Sequence, residues 1–232
     1  MLTEIGKSNS TPLRRILSLL SKLDRLHLPA SSRFDIESIL VRQASKELDR
    51  SLHWQTGHGR RTVVFAVAIG HRIGLSRQAL HDLKLAALLH DIGLLTLPSS
   101  LLSRPVLLDA DSYAAVQNHP RIGAELLEPF RFLREASVII AHHHERWDGS
   151  GYPFGLRGAL IPYGSRILAI ADAFDAIRVP NVSDPELRAS IALRILRVAA
   201  GTQFDPELIE RFCELLGESD HCRPYDHGML SL

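Results

Sequence analysis

Cysteine, tryptophan and methionine are scarce, with two of each among 232 residues, and tyrosine occurs four times. Cys213 and Cys222 do not suggest a disulfide framework, so the expected setting is reducing and cytoplasmic. An excess of one charge is lacking too: 27 Lys and Arg face 26 Asp and Glu, a formal net charge of +1. Such a chain has no field for gathering a DNA or RNA polymer or an anionic membrane surface. No apolar run approaches the roughly 18–20 residues that span a bilayer. The opening "LRRILSLLSKLDRLHL" breaks its apolar residues with charges, which suits an amphipathic helix and not a secretory signal. Strand-type alternation is missing as well. What is present is 45% hydrophobic residues, enough for one sizeable core, and 12 histidines.

The apolar residues recur at helical spacing almost throughout, which predicts an all-α helical bundle. Leu13, Ile16, Leu20 and Leu23 mark a first helix, with Thr11 as N-cap and Pro12 at its first position. Ile36, Ile39, Leu40 and Ala44 mark a second. Val63, Val67, Gly70 and Ile73 mark a third, which Gly74 stops. Ser76 caps a fourth, "SRQALHDLKLAALLHDIG", with Gly93 as terminator. Helices are expected in "DADSYAAVQNHPRIGAELL" and "LREASVIIAHHHERW" around a break at Pro129, and in "YGSRILAIADAFDAIRV". Asp184 and Asp205, each before a proline, start two more.

Several ionisable residues interrupt these apolar helices. His90 and Asp91 close "LAALLHDIG", His58 opens the third helix, His119 stands in "NHP", His143 and His144 follow "VIIA", and Asp172 interrupts "RILAIADAF". Burying imidazoles and carboxylates together is costly unless something compensates, and a divalent cation does so directly. Adjacent residues on a helix diverge by about 100°, so His90–Asp91 and His143–His144 reach two neighbouring positions better than one. A single His-Asp dipeptide is more often a hydrogen-bonded structural pair, and "GSGYP" alone is usually a turn; the set of seven carries the reading. His142, His53, His71, His81, His221 and His227 are expected at the surface or behind the ligands.

The stretches "TGHGRRT", "LAALLHDIG", "NHPRIGAELL", "HHERWDGSGYPFGLRGALIP", "SRILAIADAFDAI" and "AAGTQFDPELIERF" resemble the HD-GYP domain, a branch of the HD metal-dependent phosphohydrolases. The resemblance spans roughly residues 45–215, and His143 to Pro153 is its most specific part. It implies a helical bundle that hydrolyses cyclic di-GMP, or a related cyclic dinucleotide, to pGpG or GMP in bacterial second-messenger signalling. Carried over by position, it implies His58, His90, Asp91, His119, His143, His144 and Asp172 as metal ligands, with Asp91 bridging and His90–Asp91 at the catalytic centre. Two divalent ions, Fe or Mn, with Zn also compatible, would activate water and polarise phosphate oxygens. Gly151, Tyr152, Pro153, Arg104 and Arg178 are the implied substrate contacts. Gly149 and Gly151 would let the loop backbone pass close to the site.

The chain also departs from the family pattern. Leu94 stands where a phosphate-contacting Lys is common, and "IRVPNVSDPE" replaces an Arg-Pro-Tyr-Arg-like stretch. Trp54 takes the place of a third-metal Glu, and Ala159 that of a Glu after the Gly-Tyr-Pro loop. The expected organisation is an N-terminal helical extension over 1–45, the metal-dependent domain over 46–217 and a tail over 218–232. The N-terminal helix is free to pack on the core, to form a homodimer contact or to meet a signalling partner. The alternative to an active phosphodiesterase is a catalytically weak domain kept as a cyclic-nucleotide sensor or protein-interaction module.

Overall fold

The helix-period stripes become eleven helices among the residues described by the computed structural model, namely 11–29, 31–52, 56–102, 109–177 and 183–217. In chain order they are α1 (Thr11–Asp24), α2 (Arg33–Ser51), α3 (His58–Arg72), α4 (Arg77–Leu89), α5 (Ser99–Leu102), α6 (Ala110–Gln117), α7 (His119–Leu127), α8 (Arg134–Ala141), α9 (Tyr163–Ala176), α10 (Pro185–Val198) and α11 (Pro206–Leu215). Short 3-10 turns cover Ile92–Thr96, Arg131–Leu133 and Gly158–Leu160. No strand occurs among the described residues beyond an isolated bridge between Ala200 and Phe204. None of these helices is long and apolar enough to cross a membrane.

The centre of the bundle is α4. Its "LKLAALL" segment is apolar on nearly every side, and such a helix must be enclosed. Helices α2, α3, α8 and α9 all pack against it, and Leu83, Leu85, Ala86, Ala87 and Leu89 are fully buried. The stripe of Leu13, Ile16, Leu20 and Leu23 on α1 joins the same buried cluster. Ser76 caps α4 by accepting from the Ala79 N–H, while Asp184 and Asp205 cap α10 and α11 by accepting from Glu186 and Glu207.

Four sequence readings need correction. On α2 the buried stripe is Val41, Ala44 and Leu48, and Ile39 is turned to solvent. On α3 the buried positions after the first turn are Thr62, Ala66, Ile69 and Gly70, whereas Val63 is partly buried. In both helices the enclosed face is rotated from the most hydrophobic stripe, because polar residues near the site or the helix interface are buried too. His81 is not a surface residue. It lies in the interface of α4 with α2, with Nε2 2.8 Å from Glu37 Oε2 and its ring stacked at 4.3 Å on Phe34. Gly93, finally, does not terminate α4, which ends at Leu89. It sits inside the Ile92–Thr96 turn, where it lets that turn press against α7.

Candidate metal centre and substrate cavity

Five elements bring the seven singled-out side chains to one place. His58 opens α3, His90 and Asp91 follow α4, His119 opens α7, His143 and His144 follow α8, and Asp172 lies on α9. Three overlapping groups have donor atoms within 4.8 Å of one another: His58–His90–Asp172, His90–Asp91–His143 and His119–His143–His144. His90 and His143 are each shared by two groups. Asp91 reaches both sides, with Oδ2 3.3 Å from His90 Nε2 and Oδ1 3.4 Å from His119 Nε2.

The helix ends fix which ring nitrogen faces inward. His90, His119 and His143 each have Nδ1 within 2.7–3.0 Å of the carbonyl three residues earlier, on Ala87, Val116 and Ile140. Each Nδ1–H donates to its carbonyl, so in the neutral ring Nε2 is the inward lone pair. His58 is oriented differently. Its Nδ1 meets Asp175 Oδ2 at 2.6 Å and its Nε2 meets Asp172 Oδ1 at 2.9 Å, while Arg61 holds Asp175 through Nε and Nη2 at 2.6 and 2.9 Å. Asp175 is a supporting residue that the sequence reading missed. Its signal was present, since it follows Asp172 by three positions on one helical face.

Electrostatics divide the rings into two kinds. Burial opposes charge on His58, but hydrogen bonds to Asp172 and Asp175 outweigh it and raise the pKa to about 10. Burial and the neighbouring imidazoles push His143 well down, and burial with the His119 charge brings His144 to about 4. Burial would raise Asp91, yet the His90 charge and hydrogen bonds from His119 and His90 hold it well below the ordinary carboxylate range. His143 and His144 are thus neutral at physiological pH, the form a metal ligand requires, and Asp91 is ionised. At His58 a cation competes with a proton, so cation binding weakens as pH falls.

Five imidazoles and two carboxylates without a thiolate suit divalent first-row metals, and the inward Nε2 lone pairs fit such ions. Asp175→Asn is expected to loosen His58 and weaken metal affinity about 10- to 100-fold, as for other supporting partners of ligating histidines. A competition titration with a chelator measures it.

Beside the donors opens a cavity of about 390 Å³, bordered by His143, His144 and Asp172 and also by Tyr113, Arg146 and Gln203. Tyr152 also borders it, with its ring centroid 5.0 Å from that of His144. The loop that carries Tyr152 is tied at many points. Glu145, a second missed residue, is 3% exposed and accepts from the Phe154 and Leu156 N–H groups at 2.7 and 3.0 Å. Trp147 and Asp148 N–H donate to the carbonyls of Gln203 and Thr202. Arg166 lies against the Trp147 and Tyr163 rings and pairs with Asp205 at 2.6 Å. Gly149 has φ +83°, and a Cβ on Gly151 would stand 2.3 Å from Arg146 N. The close approach at Gly151 is therefore to the loop's own backbone at 145–146.

Leu94 does not border the cavity. It is 5% exposed and part of the hydrophobic core, so the position where the family pattern has a phosphate-contacting Lys holds a packing residue here. Leu94→Lys would bury an unpaired ammonium and is expected to lower the Tm by about 5–10 °C without aiding turnover. Thermal unfolding beside kinetics checks it. Arg104, Arg178, Trp54, His53, His221 and His227 lie outside the described residues.

Comparison with known proteins agrees with this geometry. A family model described as HD domain matches residues 42–208. The chain belongs to the HD domain family, and its His143–Pro153 segment places it in the HD-GYP branch. It is 37% identical over 185 residues to the Vibrio cholerae protein named 3'3'-cGAMP-specific phosphodiesterase 2, covering 75% of this chain and 35% of that protein. It is 39% identical over 144 residues to the cyclic di-GMP phosphodiesterase response regulator RpfG of Xanthomonas campestris, covering 61% of this chain and 38% of that protein. The chain thus spans little more than a third of the length of these relatives. Among solved structures, the cyclic GMP-AMP-specific phosphodiesterase V-cGAP3 of V. cholerae superposes with a TM-score of 0.60 at 23% identity, over 76% of this chain and 49% of that one. That likeness supports the fold.

Proposed function

We propose that this chain is a metal-dependent phosphodiesterase that hydrolyses a cyclic dinucleotide, cyclic di-GMP or 3'3'-cGAMP, to its linear product. The observation that carries the proposal is the convergence of seven buried or half-buried donors, three of whose imidazoles are oriented by helix-end carbonyls and a fourth by Asp175. We assign His58, His90, Asp91, His119, His143, His144 and Asp172 as the ligands of two divalent ions, with Fe or Mn best suited to the donor set and Zn compatible. Residues 46–217 are the unit to which the activity is assigned.

Bound divalent ions supply Lewis acidity toward a phosphodiester and activation of water. The protein's own contribution is orientation. Asp91 spans His90 and His119, Asp175 holds His58, and Glu145 fixes the loop that presents Tyr152 to the cavity. Tyr152 offers a ring face on which a nucleobase can stack, and its hydroxyl, with a pKa raised by burial, stays protonated. The curated relatives named above carry phosphodiesterase names, and that supports the substrate class.

The deciding experiment is elemental analysis of anaerobically purified protein combined with turnover of cyclic di-GMP, 3'3'-cGAMP and an aryl phosphodiester. About two metal equivalents with cyclic dinucleotide hydrolysis are expected. Metal-loaded protein that turns over none of the three would overturn the catalytic reading in favour of a sensor or interaction domain.

A further inference from the structure

We infer that Arg146 is a phosphate-binding residue of the cavity, holding the phosphodiester of a cyclic dinucleotide that does not lie at the metal donors. This rests on the phosphodiesterase reading above. A cyclic dinucleotide carries two phosphodiesters, and a single metal centre engages the one it cleaves. The second brings a full negative charge into a cavity that already holds the Asp172 carboxylate. Some cation has to meet it.

Among the described residues bordering the cavity, Arg146 is the one Lys or Arg. Leu94 cannot substitute, because it is packed in the core. The guanidinium is also held in place. Its Nε donates to Ser150 Oγ at 2.9 Å, and one Nη lies 3.4 Å from Asp148 Oδ2. Asp148 is itself occupied on its other oxygen by the Ser150 N–H and hydroxyl, at 2.9 and 2.6 Å. The long Asp148 contact is a weak one, and no hydrogen bond within the described residues uses Nη1. One edge of the fork is braced by the loop and the other is available. A planar, pre-oriented guanidinium suits a phosphodiester oxygen better than a flexible ammonium does.

The simpler alternative is that Arg146 only braces the "DGSGYP" turn. The two roles predict different kinetics. If Arg146 binds phosphate, Arg146→Gln in the full, metal-loaded chain raises KM for cyclic di-GMP about 10- to 100-fold, the range of a charge-assisted contact. Turnover number falls much less, and the rise of KM with added salt becomes shallower. The Kd of a non-hydrolysable phosphorothioate analogue of cyclic di-GMP, measured by calorimetry, shifts by the same factor. Arg146→Lys recovers part of the loss. Ser150→Ala removes the brace on Nε but keeps the charge, and shifts KM by much less than Arg146→Gln.

Unchanged KM and Kd in Arg146→Gln would sink the inference. So would Ser150→Ala reproducing the Arg146→Gln defect together with an equal fall in thermal stability, which is the signature of bracing alone. Wild-type protein that neither binds nor cleaves any cyclic dinucleotide overturns the functional reading itself. Turnover by wild type with an unaffected Arg146→Gln variant overturns the role of Arg146 only.

Discussion

Asp91→Ala is expected to cost the protein its metal and its turnover together. The carboxylate is 6% exposed and stands between His90 and His119, which arrive from different parts of the bundle. No other side chain singled out here is so placed that its two oxygens face rings from two separate helix ends. Removing it leaves buried imidazoles facing one another without the anion that joins them, and takes away a negative ligand from a site for dications. Loss of a supporting partner of a ligand already costs 10–100-fold; loss of the shared ligand should cost at least ~100-fold in turnover. Metal content should fall from two equivalents to below one after anaerobic purification. Asp91→Asn, which keeps shape but not charge, distinguishes ligation from packing: it should stay folded and still lose metal. Retention of two equivalents by either variant would refute Asp91 as the shared ligand.

The second large effect is expected from the smallest substitution. A Cβ on Gly93 would lie 2.1 Å from the carbonyl oxygen of His119 and 2.9 Å from Gly123 N. Both obstacles are backbone, so no rotamer change relieves them. Gly93→Ala must drive the Ile92–Thr96 turn away from α7, and these two elements carry Asp91 at the start of one and His119 at the start of the other. Overpacking of this kind costs about 1–3 kcal/mol, which corresponds to a Tm lower by roughly 3–10 °C for a chain of this size. The 3.4 Å separation of His119 Nε2 from Asp91 Oδ1 cannot survive such a shift unchanged, so metal affinity should fall with stability. Thermal unfolding with and without added metal measures both. A variant with wild-type Tm and metal content would show that α7 yields more readily than its packing suggests.

These two residues also show what the sequence could and could not disclose. The place of Asp91 in a buried cluster was legible from its membership in a set of polar interruptions of apolar helices, not from the His-Asp pair alone. The helices were legible for a similar reason: their apolar period survives translation into structure, and the caps Ser76, Asp184 and Asp205 lie where local chemistry put them. Gly93 was misread because its reason for being glycine lies 26 positions away, at the His119 carbonyl. His81 was misread in the same way, since Glu37 and Phe34 reach it from another helix. Leu94 is a matter of direction: the spacing from His90 told where its backbone runs, but only the tertiary packing settles whether the side chain turns to the site or to the core. Residues whose role is defined by a distant partner leave no period and no motif.

The loop from Glu145 to Gly158 has a consequence for the thermodynamics of recognition. Glu145, the carbonyls of Thr202 and Gln203, and the Arg166–Asp205 pair hold it already in the free protein. A loop ordered only on contact with its ligand gives up roughly 0.5–1.5 kcal/mol for each side chain it immobilises. Here that entropy was lost during folding. Ligand binding should then proceed without loop closure, with free and bound backbones differing by less than about 1 Å over this segment. The rate of association would be governed by diffusion into an open mouth and not by the opening frequency of a gate.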